Sequence, residues 1–178
     1  MRYQSGMSTY GTVTQLAKML DNMLVWLDKA DEHATKKSFD ANTLLAARLA
    51  PDQYPLVRQL QAATDAAKFA AARLAGKEAP KHPDTEQTIA EIRIRVRAVV
   101  EFIRSFKEAD FVGGESRMVP LSFMPGKGLT GADYLDEMAV PNFYFHAITA
   151  YAILRANGVD VGKAVFIGSL NLKDVPAT

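Results

Sequence analysis

From Thr9 to about Lys36 the apolar residues Val13, Leu16, Leu20, Met23, Leu27, Ala30 and Ala34 recur at steps of three and four. That spacing lines them up on one side of a long α-helix, and such a stripe is buried only if other helices lie against it. The same pattern returns in Ile89, Ile92, Val96, Val99, Ile103 and Phe106, behind Asp84 and Gln87, whose spacing is that of a capping box. Between them a second helix is expected from about Asp52, as N-cap, to Ala75, with Pro55 in its first turn and Gly76 just past its end. A short helical piece around Asn42 to Leu49 precedes it. The run Ala62 to Ala75 holds eight alanines. Side chains this small favour helix and let a neighbouring backbone come close.

Helical spacing fails from 110 to 130, where Gly113, Gly114, Pro120, Pro125, Gly126 and Gly128 punctuate the chain. The centre of this stretch, Met118 to Met124, reads as a short hairpin or an extended crossover. Thr130 with Asp133 caps a fourth helix that runs to about Asn157, where Gly158 supplies a stop. Pro141 removes the bond to the Glu137 carbonyl, so this helix either kinks or restarts there. Four long helices with one long connection make an all-α four-helix bundle the expected fold, with sites built in its core from facing helices. Met7 to Gly168 would form one domain, residues 1–6 a leader or upstream segment, and residues 169–178 a tail.

Composition removes several functions. Lysine and arginine total 21 against 20 acidic residues, and a net charge of +1 offers no broad field for a polyanion, so nucleic acid is not an expected partner. No apolar run nears the roughly 20 residues of a membrane span, and the polar start is no signal peptide, so the expected location is the cytoplasm. Without cysteine the chain has no disulfide, thiolate ligand or cysteine nucleophile, and sulfur chemistry would need an external thiol. Gly126-Lys127-Gly128 lacks the rest of a phosphate loop, and Ser122 and Ser169 stand in no nucleophile-elbow pattern.

The candidate site starts from Pro141 to Arg155, a run apolar on almost every side that contains His146. An imidazole buried there needs a partner, because an unsatisfied polar group costs about 1–3 kcal/mol. Gln61, Asp65 and Lys68 share a face of the second helix. That face is either solvated or turned inward, where it would meet His146 and Tyr151 as an acid–base cluster. His33, on the flank of the first stripe, either looks into the bundle or ends its helix as a boundary residue. His82, between Lys81 and Pro83, reads as a solvated loop residue outside any site. Arg48 is placed to pair with Asp52 or to contact an anion at the mouth of the bundle. Arg93, Arg95, Arg97 and Arg104 alternate with Glu91, Glu101 and Glu108, as on a solvated face with pairs such as Glu91–Arg95 and Arg104–Glu108.

Two strings, Leu-Leu-Ala-Ala-Arg-Leu-Ala-Pro-Asp-Gln-Tyr-Pro-Leu at 44–56 and Pro-Asn-Phe-Tyr-Phe-His at 141–146 followed by Ala150, Tyr151, Leu154 and Arg155, resemble a bacterial family of unknown function. It is known as domain of unknown function nineteen-ninety-three, and it is similar to the DinB and YfiT-like superfamily. The resemblance implies a four-helix bundle, frequent homodimers and, in many members, a metal held by three histidines. Some relatives are thiol-dependent transferases or hydrolases. Metal-binding relatives carry His-x-x-x-His on the fourth helix, whereas here His146 is followed at that spacing by Ala150, and the second helix has no histidine. No cofactor is therefore expected. A divalent metal would have to combine His146 with Asp65, Asp133, Glu137 or His33.

Three readings follow. The first, preferred, is a binder of a small molecule with His146 hydrogen-bonded in a pocket. The second is a transferase or hydrolase using His146 with Asp65 or His33 and an external low-molecular-weight thiol or water. The third is a homodimeric structural module without catalysis.

Overall fold

The computed structural model describes residues 8–175. Helix α1 spans Thr9–Lys37, begins at Ser8, whose hydroxyl accepts from the Gly11 amide, and ends at Ser38 in the left-handed conformation. All seven residues of its expected stripe are buried. A 3-10 segment, Ala41–Ala46, leads to α2, Leu56–Ala75, which closes on the left-handed Gly76. Helix α3 spans Ile89–Arg104. Strands β1, Met118–Pro120, and β2, Gly128–Thr130, pair antiparallel, with Val119 opposite Leu129, and resolve the 110–130 connection as a hairpin.

The fourth helix comes in three parts: α4, Gly131–Asp133, a π-helical stretch, Tyr134–Ala139, and α5, Val140–Ala156. Its N-cap is Thr130, as expected, accepting from the Asp133 amide. Pro141 sits in the first turn of α5, and the widened π turn ahead of it takes up the missing backbone bond. Gly131 is needed at the start, because a Cβ there would drive into the carbonyl of Gly114. A short helix α6, Lys163–Ile167, follows and packs on α1. Phe166 stacks on Trp26 with 5.4 Å between ring centroids, and the Trp26 indole donates to the Val165 carbonyl at 3.2 Å.

Around the bundle the order is α1, α3, α2, α5, and the most extensive contact is between α2 and α5. Ala63, Ala67, Ala70 and Ala71 are buried in α2, the close approach that an alanine-rich helix permits.

Three local expectations are corrected. Helix α2 begins at Leu56 behind Pro55 and has no side-chain cap, so Asp52 is left in the preceding turn. Helix α3 begins behind Thr88, which forms a reciprocal capping box with Glu91, a stronger pair than Asp84 with Gln87 because both orphan amides are met. Arg48 donates to the Gln53 carbonyl at 2.6 Å, which stitches the 48–53 turn together in place of an Asp52 pair.

Candidate functional site

Two polar sites lie along α2. The first closes on His146, which is half-buried on α5. Its Nδ1 lies 2.7 Å from Gln59 Oε1, and Gln59 Nε2 donates to the Tyr54 carbonyl at 3.1 Å. Gln59 is buried. Burial, and then the charge of Arg58, holds His146 below the ordinary histidine pKa. A neutral imidazole donating from Nδ1 to an amide oxygen satisfies both groups and leaves Nε2 as the remaining ring nitrogen.

The second site is built by α2, α3 and the loop between them. Arg95 is only 3% exposed. It donates through Nε to Thr64 Oγ1 at 2.8 Å and through Nη2 to Asp65 Oδ1 at 2.8 Å. Its Nη1 reaches Glu86 Oε1 at 3.1 Å and Asp84 Oδ1 at 3.0 Å. Lys68, 2% exposed, donates to the same Asp65 oxygen at 2.7 Å and lies 3.4 Å from His82 Nδ1. Gln61 donates to Glu86 at 2.7 Å, accepts from Arg58 at 2.9 Å, and Arg58 also pairs with Asp84. Burial works against the charge on Asp84 and Glu86, but Arg58 and Arg95 on the first, and Gln61, Arg95 and its own amide on the second, hold both below the usual carboxylate range. His82 is pushed down by burial and then by the charges of Lys68 and Arg95. It therefore accepts from Lys68 as a neutral ring.

A cleft of about 610 Å³ opens over Lys68 and His82, with Asp65, Phe69 and Arg73 in its wall. A smaller one of about 250 Å³ lies on the other side of Phe69, against Tyr134 and Asn142. His146 lines neither.

The structure thus brings together Gln61, Asp65 and Lys68, but with Arg95 and His82 where His146 and Tyr151 were the expected partners. His82 is a half-buried member of the cluster and not a solvated linker residue, because the loop folds back over α2. Arg95 is buried and not part of a solvated face, since Glu91 is taken by the Thr88 cap. Its outer neighbours pair between helices: Arg93 with Asp28 and Asp31, Arg104 with Asp21. Tyr151 donates to the Val161 carbonyl at 2.9 Å beside Trp26, away from Asp65. His33 packs edge-on against Phe39, near Gly158, at one end of the bundle.

The residues at His146 do not fit a three-histidine metal. Its Nδ1 is committed to Gln59, the next turn presents Ala150, and α2 contributes an amide where a third imidazole would be needed. Asp133 is tied to the Thr130 hydroxyl at 2.7 Å and Glu137 is exposed. Among the described residues no three histidine or acidic side chains are grouped to hold a metal ion.

The order of the packed helices, with a single small hairpin between the third and fourth, defines an all-α helical bundle protein. The family model described as domain of unknown function (DUF1993) matches residues 10–167, and the chain belongs to that family. Among solved structures it is similar to a DinB family member protein from Shewanella denitrificans, at 44% identity and a TM-score of 0.90, covering 93% of this chain and 95% of that one. Comparison with curated proteins gives no match. No helix among the described residues is long and apolar enough to cross a membrane.

Proposed function

We propose that the protein binds a small molecule in the 610 Å³ cleft between α2 and the 77–83 loop, with Lys68, Asp65 and His82 as its polar wall. The observation that carries this reading is Lys68, a cation almost wholly withdrawn from water yet facing the cleft. Clefts of this size that gather a few converging polar groups on an apolar wall are the usual form of a ligand site. His146 then has a structural part, closing Gln59 against α5. A thermal-shift screen of small molecules tests the assignment. Hits should lose their effect in Lys68→Met and His82→Ala, each checked for folding by circular dichroism, and keep it in His146→Ala. The opposite pattern would return the site to His146.

A second reading, homodimerisation, is supported by α5, which turns Phe145, 57% exposed, and Ile148, 51% exposed, away from the core. Sedimentation of the wild type against Phe145→Glu tests it, a dimer converted to monomer being the expected result.

A further inference from the structure

The cleft wall contains a cation that the Lys68 cluster does not use. Arg73 Nη1 donates to the Tyr134 hydroxyl at 3.2 Å. Its guanidinium carbon lies 5.0 Å from the Phe69 ring centre and 5.4 Å from that of Tyr134. Two aromatic rings and one hydrogen bond hold the fork in place, so little rotamer freedom remains to be lost on binding. Among the described residues no carboxylate pairs with it, in contrast to Arg58, Arg93, Arg95 and Arg104, each of which has an acidic partner. Arg73 lines the 610 Å³ cleft, the 250 Å³ cleft and a hollow of about 700 Å³ under the β1–β2 hairpin. Arg73 therefore borders open space on several sides.

The other charges of the main cleft are already spent. Asp65 is shared by Lys68 and Arg95, and Lys77 is paired with Asp110. What is left is Arg73 and Lys81 against Glu78. A planar, preoriented guanidinium with no carboxylate partner, beside the half-buried Phe69 ring in the cleft wall, is the chemistry that selects a carboxylate or phosphate attached to an apolar body.

Building on the cleft reading above, we infer that its ligand is an organic anion whose carboxylate or phosphate pairs with Arg73 while its apolar part lies along Phe69. Tyr134 is a positioning residue in this arrangement. Burial keeps its phenol protonated, and the π turn that starts at Tyr134 aims the ring at α2.

Benzoate, phenyl phosphate and the neutral benzamide, titrated at millimolar concentration against the full chain and followed by amide NMR, test the inference. The two anions are expected to shift residues 65–83 and to bind about tenfold or more tighter than benzamide, the size of one charge-assisted pair. Comparison of the two anions tells a carboxylate site from a phosphate site. Arg73→Met should bring the anions down to the benzamide level, Arg73→Lys should recover part of the loss, and Lys81→Met should change little. Tyr134→Phe should weaken the anions by less than Arg73→Met, with unchanged thermal stability expected for Arg73→Lys. Equal binding of benzoate and benzamide in the cleft, or anion binding that survives Arg73→Met, overturns the anion assignment and leaves the cleft reading standing. Absence of any shift at residues 65–83 overturns both.

Discussion

The two sides of α2 handle polar burial in opposite ways. Toward α5, one imidazole and one amide satisfy each other in an otherwise apolar contact, and the pair opens onto neither cleft of α2. Toward α3, Arg95 ties Thr64, Asp65, Asp84 and Glu86 into one network whose far edge, Lys68 and His82, forms the wall of a cleft. A minimal pair is enough to seal a helix contact. A network whose edge reaches a cleft is where an α-helical bundle can present polar groups to a ligand.

The largest expected effect that separates the two sides is on stability. Arg95→Met takes the buried guanidinium away from the half-buried Asp65 and Glu86, which keep Lys68 and Gln61, and should cost about 3 kcal/mol in urea unfolding, the lower end of the loss for breaking one side of a buried ion pair. A loss under about 1 kcal/mol would mean that the network closes without its arginine. His146→Ala, which leaves the Gln59 oxygen unpaired, is expected to lose about 1–3 kcal/mol. A double-mutant cycle with Gln59→Ala should show a coupling of about 1 kcal/mol, and no coupling would break the pairing described for this side.

A smaller effect, of the same sign on both sides, appears with pH. His82 and His146 both have folded pKa values below the unfolded one, so the unfolded chain takes up more protons as pH falls through the ordinary histidine range. Stability is therefore fully present above about pH 6.5 and declines on acidification below it. His82→Gln and His146→Gln should each flatten part of that slope in a series of melts from neutral to mildly acidic buffer, and an unchanged slope in both would contradict the neutral state assigned to these rings.

Legibility in the sequence follows from periodicity. The α1 stripe, the Gly76 stop, the Thr130 cap and the fourth-helix break near Pro141 could all be read, because each depends on residues a turn or less apart. So could the shared face of Gln61, Asp65 and Lys68. Arg95 was readable in principle: it stands three residues after Ile92 and four before Val99, on the apolar stripe itself, yet the alternation of charges around it resembles a solvated face. His82 was not readable, since a loop has no period and only the folded chain brings it to Lys68. The partner of His146 was not readable for a related reason. A helix apolar all round locates a buried histidine but does not fix which wall it faces, and α5 turned it to Gln59.

The most direct test of the α2 cleft as the functional site is an amide NMR map of the first small molecules found to bind. Shifts concentrated in residues 65–83, with Tyr54, Gln59 and His146 unmoved, are the expected result. Shifts centred on Gln59 and His146, with the 77–83 loop silent, would contradict it.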